Sequence, residues 1–148
     1  MPAKTKTDSD GFSAEERAAM KQRAAELRAE GKKGAKKADA LQAALDSIAA
    51  MDPDDRALAE RVHATVTSSA PGLSPKTWYG MPAYANEDGK VVVFFKGAGK
   101  FDSRYATLGF DEAANLDDGA MWPTSYALRE WSPAVEKKVA ALVTAAVS

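Results

Sequence analysis

The chain has 148 residues, a formal net charge of −1 and no cysteine. The lack of cysteine excludes disulfide bonds, thiolate zinc sites, iron–sulfur clusters and a cysteine nucleophile. The single histidine, His63, excludes a multi-histidine metal site within one chain, and the near-neutral charge argues against a globally basic nucleic-acid binder. No run of about 18 apolar residues and no signal-peptide pattern occurs, so we expect a soluble cytoplasmic protein.

The aromatic residues are concentrated in the centre of the chain. Of twelve, all but Phe12 lie between positions 78 and 131. The flanking segments are instead rich in Ala, Glu, Lys and Arg, which favour helix. This segregation predicts an α+β fold: a mostly antiparallel sheet of four or five strands covered by helices, with an N-terminal helical extension.

The first 37 residues are predicted to lie outside the main domain. The polar segment 1–12 is expected to be a disordered tail. Ser13, with Glu16 three residues later, has the pattern of a capping box at the start of a helix. We therefore divide the chain into the tail, an Ala- and Lys-rich helical arm over 13–37, and an α+β domain over 38–148.

Four lysines, Lys32, Lys33, Lys36 and Lys37, make the densest basic segment of the chain. Such a cluster is typical of a solvated linker between two helices. The alternative is a segment that contacts the phosphates of a nucleic acid, which would require a steep salt dependence.

Three further helices are predicted. One spans about 36–50, and its apolar side chains fall on one face. A second begins at Asp52–Pro53, where an acidic N-cap precedes a proline at the first helical position. The last helix begins at Ser132–Pro133 and carries an amphipathic stripe. The side chains expected to be buried are Leu41, Ala44, Leu45, Ile48, Leu58, Val62, Val66, Val135, Val139, Leu142 and Val143.

The strands are predicted from apolar runs between turn residues. The segment 77–84 is extended but interrupted at Gly80–Met81–Pro82, and because proline cannot donate to a ladder we expect an edge strand or a bent strand. Further strands are predicted at 91–95, 105–110 and 121–128, with a short helical turn at 111–116.

Several bulky and cationic side chains are predicted to lie at strand ends and turns. Apolar walls with a few charged groups are typical of a ligand pocket. The same mixture could stack on single-stranded nucleic acid, or it could form an aromatic core. The candidate ligand-binding residues are Trp78, Tyr79, Met81, Lys96, Arg104, Tyr105 and Trp122.

The sequence contains no recognisable catalytic motif. Gly97–Lys100 superficially resembles a phosphate-binding loop, but the Walker spacing is absent and Phe101 replaces the hydroxyl residue, which favours a turn between strands. Neither a Gly-x-Ser-x-Gly elbow nor a Ser-x-x-Lys element is present. We assign His63 a structural role and predict no catalytic residue, although an enzyme acting on a small metabolite stays open.

The segment 77–84, TWYGMPAY, followed by the strand at 91–95 and Lys96, resembles the bacterial YdhG-like family of unknown function. The segment 105–110, YATLGF, and the closing helix after 120–123 support the resemblance. The similarity covers roughly residues 40–147. It implies a compact α+β domain with an antiparallel sheet and no agreed catalytic residues.

Some members of that family are labelled iron chaperone or frataxin-like, so the resemblance implies iron as a possible ligand. Without cysteine or several histidines, iron would need carboxylate oxygens. The candidate metal ligands are Asp111, Glu112, Asp117 and Asp118, with a second acidic group at Asp52, Asp54 and Asp55. All of these also fit ordinary roles at helix starts and turns.

The leading hypothesis is therefore a small binding domain without chemistry of its own, for which the resemblance implies an iron-chaperone-like role. The alternative is a protein-interaction or self-association module, such as a homodimer, that uses the helix over 13–30. A weaker alternative is nucleic-acid binding through Lys32–Lys37.

Overall fold

The computed structural model describes residues 13–30 and 37–148, without the side chains of Ala29 and Glu30. The predicted tail at 1–12 and the lysines 32, 33 and 36 lie outside the described residues. The described part has four helices and one five-stranded antiparallel sheet, which confirms the predicted α+β fold with its N-terminal helix. The helices are α1 Ala14–Glu30, α2 Lys37–Ala49, α3 Pro53–Ser69 and α4 Pro133–Ala146. The strands are β1 Ser74–Trp78, β2 Met81–Ala85, β3 Val91–Lys96, β4 Ala106–Phe110 and β5 Ser125–Leu128.

Two of the predicted helix caps are present. The Ser13 hydroxyl accepts from the Glu16 amide at 3.0 Å, and the Glu16 carboxylate accepts from the Ser13 amide at 2.9 Å, which completes the capping box of α1. The Ser132 hydroxyl accepts from the Val135 amide at 3.2 Å at the start of α4. Asp52 occupies the N-cap position of α3, but its side chain makes no capping hydrogen bond.

The sheet order follows the chain order, β1-β2-β3-β4-β5, and every pair is antiparallel. The prediction of a single edge or bent strand over 77–84 is wrong, because Trp78 pairs with Met81 in a hairpin and β2 is an interior strand. Pro82 is tolerated there because the recorded pairing of β2 with β3 begins only at Ala83. The edge strands are β1, which carries Pro75, and β5, which has four residues.

Two predictions about the segment after β4 are also wrong. Residues 111–116 contain a single turn, closed by the Ala114 amide donating to the Asp111 carbonyl at 2.9 Å, and none of them is helical. The strand predicted from position 121 begins at Ser125, since Pro123 lacks an amide donor and Met121 is 89% exposed.

The hydrophobic core lies between one face of the sheet and helices α3 and α4. Its largest fully buried side chains are Tyr84, Phe95, Leu108, Val62, Val66, Val93 and Val143. The predicted stripes of α3 and α4 are confirmed. The stripe of α2 is only half right: Ala44 and Ile48 are buried, whereas Leu41 and Leu45 are 36% and 38% exposed, because α2 packs mainly along the edge strand β1.

The opposite face of the sheet contacts the N-terminal helix α1. Side chains alternate along a strand, so the register places Trp78, Met81 and Phe94 on the face away from Tyr84 and Val93. Ala19 of α1 is buried against this second face at the end near the β1–β2 hairpin. Helices therefore lie on both sides of the sheet.

Candidate functional site

Four of the predicted ligand-binding residues, Trp78, Tyr79, Met81 and Lys96, line one cleft between α1 and the second face of the sheet. The cleft has a volume of about 380 Å³. Its other lining residues are Glu16, Ala19, Met20, Phe94 and Phe101.

Aromatic rings form one wall of this cleft. The Trp78 and Phe94 ring centroids are 5.3 Å apart, and Trp78 meets Tyr79 edge-on at 5.1 Å. Gly109 lies opposite Phe94 in β4, and a Cβ there would overlap the Phe94 ring. The ring can therefore pack over this position only because residue 109 has no side chain. The wall is held by packing within the sheet.

Two ammonium groups flank the last ring of the cleft. Lys96 Nζ is 5.0 Å and Lys100 Nζ is 5.6 Å from the centroid of Phe101. Both distances are within the range of cation–π attraction. The cleft thus combines an aromatic surface with the ammonium group of Lys96 and the carboxylate of Glu16, and Lys100 lies beside it.

The hairpin turn at the mouth of the cleft has an unusual backbone. Tyr79 has a φ of 54° and Gly80 a φ of 78°, so both residues are left-handed, as a two-residue hairpin turn requires. Glycine adopts this region freely, but tyrosine rarely does. The Glu26 carboxylate of α1 accepts from the Tyr79 amide at 3.1 Å and from the Gly80 amide at 3.2 Å. These two hydrogen bonds connect the arm to the turn.

Two cationic side chains lie near the Glu26 carboxylate. Arg23 Nη1 lies 3.7 Å from Glu26 Oε1, and its guanidinium carbon is 5.8 Å from the Tyr79 ring centroid. Lys100 Nζ donates to the Gly80 carbonyl and to Gln22 Oε1, each at 3.1 Å. Burial lowers the pKa of Lys100, and the nearby negative charge of Glu26 opposes this change.

A second carboxylate holds the loop between β3 and β4. Asp55, in the first turn of α3, is only 7% exposed. It accepts from the Ala98 amide at 3.1 Å and from the Gly99 amide at 2.8 Å. These amides donate to the protein's own carboxylate, so they are not available to cradle a phosphate. The segment Gly97–Lys100 connects two strands, as predicted.

The remaining three predicted ligand-binding residues do not line this cleft. Arg104 lies over the ring of its neighbour Tyr105, with the guanidinium carbon 5.1 Å from the centroid, and both side chains are exposed. Trp122 is half-buried in the connection between β4 and β5. The structure therefore does not gather the seven residues into one site.

The candidate iron ligands Asp111, Glu112, Asp117 and Asp118 are all exposed. Within residues 13–30 and 37–148, no three His, Asp or Glu side chains are placed to hold a metal ion together. The described side chains therefore do not form a multi-carboxylate iron site, and iron stays a prediction from the family resemblance.

His63 is half-buried on α3, and its Nδ1 is 2.9 Å from the hydroxyl of the buried Tyr84. Burial lowers the pKa of His63 and raises that of Tyr84, so both side chains are held neutral. A neutral imidazole nitrogen can accept the phenol proton in a hydrogen bond. The pair belongs to the core face of the sheet and supports the structural role predicted for His63.

Sequence reasoning missed Phe94, Phe101, Lys100 and Glu26 as part of this region. The available signal was the alternation along β3, which places Phe94 and Lys96 on one face once the face of Trp78 is known. Nothing in the sequence indicated that Glu26, more than 50 positions away in the chain, would bind the hairpin turn.

No family model, curated protein or solved structure matches this chain. Membership of the YdhG-like family therefore stays a prediction based on the residues quoted above. Among the described residues, no helix has the length and apolar character needed to span a membrane.

Proposed function

We propose that this protein is a ligand-binding domain that takes a small molecule with an aromatic or apolar body into the cleft between α1 and the sheet. The observation that carries the proposal is the row of rings at Trp78, Phe94 and Phe101, which lies outside the hydrophobic core. An aromatic face of this kind, left accessible beside a helix, offers stacking surface to a ligand.

The size and chemistry of the cleft support the proposal. A volume of about 380 Å³ lies within the range of roughly 300–1,000 Å³ typical of small-molecule sites. Lys96 and Glu16 are the charged residues that line the cleft, and Lys100 lies beside it near the Phe101 ring, so a few charged groups can orient a ligand within apolar walls. The alternative, that the candidate aromatic residues form the core, is less favoured, because the core cluster contains Tyr84, Phe95 and Phe110 on the other face of the sheet and not Trp78 or Tyr79.

A nuclear magnetic resonance titration with indole, a neutral aromatic probe, tests the proposal. We expect shifts at the Trp78 indole N–H and the Met81 methyl group, with Trp131, which packs against the core, as an unaffected internal reference. Phe101→Ala should weaken binding about fivefold or more, because it removes a stacking contact of about 1 kcal/mol. The matched control is Tyr105→Ala, an exposed ring outside the cleft. Absence of shifts at Trp78, or equal loss in both variants, would contradict the proposal.

Self-association through the N-terminal helix stays a second prediction. Leu27 on α1 is 51% exposed, which leaves an apolar side chain on the outer surface of the arm. Sedimentation of the whole chain and of a form lacking residues 1–37 tests it, since only the whole chain should associate with increasing concentration. Nucleic-acid binding also stays a prediction, since three of its four lysines lie outside the described residues.

A further inference from the structure

The contact between the arm and the hairpin is the strongest polar feature beside the cleft. The Glu26 side chain is only 13% exposed, and both of its carboxylate oxygens accept backbone hydrogen bonds from the turn. Successive backbone amides in such turns form a concave site that favours anions. The turn thus holds a carboxylate already, and that carboxylate comes from the protein's own arm.

We propose that the amides of Tyr79 and Gly80, with the ammonium group of Lys100, form a receptor for the carboxylate of an aromatic acid, and that Glu26 occupies this receptor until the ligand displaces it. This inference rests on the proposed function, because the aromatic body of the acid would lie in the adjoining cleft. Tyr79 belongs to both places: its side chain lines the cleft and its amide donates to the carboxylate.

The donors of the receptor belong to the main domain and not to the arm. The two amides are fixed by the hairpin, and Lys100 is held against the Gly80 carbonyl at 3.1 Å. Arg23, which also lies near Glu26, is on α1 and is therefore not counted as part of the receptor. When the Glu26 side chain leaves the turn, the two amides lose their acceptor, and Lys100 stays beside them on the Gly80 carbonyl.

The arm itself is held by few buried contacts. Among the α1 side chains that the structure describes, Ala19 is the one that is buried, and most of the others are exposed. A helix with so narrow an apolar face gains little from packing. Besides Glu26, α1 contacts this side of the domain through Gln22 and Arg23, so the Glu26 side chain can leave the turn while α1 still lines the cleft.

Competition sets the concentration at which a free acid can bind. A tethered group acts at an effective concentration on the order of 1 mM or more, so a soluble carboxylate that made only the same hydrogen bonds would have to exceed that level in the wild-type chain. Removal of the Glu26 carboxylate abolishes this competition. The apparent affinity for an external acid should then rise about tenfold or more, because the binding-competent state is no longer a minor one.

The test is a titration of the full, ¹⁵N-labelled chain with phenylacetate and with the neutral phenylacetamide. In Glu26→Ala, phenylacetate should shift the Tyr79 and Gly80 amides and bind about tenfold tighter than in wild type. Phenylacetamide should bind about fivefold more weakly than the acid, because hydrogen bonds to a charged acceptor are stronger. Adding Lys100→Met to Glu26→Ala should remove most of the preference for the acid. The control variant Glu15→Ala, an exposed glutamate on the same helix, should behave as wild type.

The inference is overturned if Glu26→Ala binds phenylacetate no more tightly than wild type, or if the acid and the amide bind equally. It is also overturned if the shifts occur at Ala98 and Gly99 instead of at the hairpin turn. Should Glu26→Ala lose its fold by circular dichroism, Glu26→Gln keeps the shape of the side chain and tests the same point. If indole binds and acids are not preferred over amides, the proposed function stands and this inference fails. Acetate, which has no aromatic body, is titrated as well: if it shifts the Tyr79 and Gly80 amides while indole does not bind, the carboxylate receptor stands and the proposed function fails.

Discussion

Two carboxylates in this protein bind their loops in the same way, yet they belong to different parts of the structure. Asp55 accepts from two consecutive amides of the β3–β4 loop, and Glu26 accepts from two consecutive amides of the β1–β2 turn. Asp55 is on a core helix and is buried on the face that α3 and α4 cover. Glu26 is on the arm, which covers the opposite face at one end.

Two hydrogen bonds of the same kind can therefore stabilise the fold or be open to replacement by another acceptor. Which of the two applies depends on whether a core helix or the N-terminal arm supplies the carboxylate. Loss of Asp55 leaves the Ala98 and Gly99 amides without the acceptor that a core helix holds in place. Loss of Glu26 leaves the Tyr79 and Gly80 amides without an acceptor that comes from a sparsely packed arm, and water or a ligand can take its place. The stability of the domain should therefore depend on the first pair far more than on the second.

The largest effect is expected for Asp55→Ala. We expect the free energy of unfolding to fall by about 2 kcal/mol, because two partly buried amides lose a charged acceptor. Urea denaturation measures the change. The control is Asp54→Ala, an exposed carboxylate in the same helical turn, which should cost no more than about 1 kcal/mol. Equal losses in the two variants would show that the loop is not held by Asp55.

A second, smaller effect is the pH dependence of the free energy of unfolding that His63 causes on the core face of the sheet. The pKa of His63 is lowered from its ordinary value of 6.5 by burial, so the unfolded chain binds a proton more readily than the folded protein. The contribution of neutral His63 to stability is full above the unfolded pKa and is lost as the pH falls towards the folded value. We expect the free energy of unfolding to decrease as the pH falls below 6.5.

The variant His63→Gln isolates this effect, because His63 is the chain's only histidine. Its unfolding free energy, measured by urea denaturation across the same range, should change less steeply with pH than that of the wild type. A parallel pH dependence in the two proteins would assign the effect to carboxylates instead. The hydrogen-exchange rates of the Tyr79 and Gly80 amides should not change with the protonation of His63, because His63 lies on the opposite face of the sheet.

The smallest global effect is expected for Glu26→Ala, at about 1 kcal/mol or less, because water can satisfy the amides that it leaves. Its local effect should be clear: hydrogen exchange of Tyr79, Gly80 and the α1 amides should accelerate several-fold, while Ala98 and Gly99 keep their rates. Native-state hydrogen exchange measures both. A loss as large as that of Asp55→Ala would mean that the arm is as integral to the fold as the core helices are.

Much of the fold was predictable from local chemistry. The capping box at Ser13, the Ser132–Pro133 helix start and the stripes of α3 and α4 depend on short-range spacing, which the sequence shows directly. The hairpin at Tyr79–Gly80 was not recognised, because tyrosine is a poor residue for a left-handed position and its carboxylate partner is distant in the chain.

The candidate site was predictable only in part, for a related reason. Trp78, Met81 and Lys96 were selected by size and position, and the strand register brings them together. Arg104 and Trp122 were selected on the same grounds, but nothing in a sequence states which face of the sheet a loop residue will reach. The roles of Asp55 and Glu26 depend on contacts across more than 40 positions, which no local pattern encodes.

The two borders of the sheet have a consequence for how this protein meets other chains. Pro75 lacks an amide hydrogen in β1, α2 lies along that strand, and β5 is short and followed by the charged residues Arg129 and Glu130. Such features hinder the addition of a foreign strand and the growth of aggregates from sheet to sheet. Contacts with other molecules are thereby directed to the broad surfaces of the sheet and its helices.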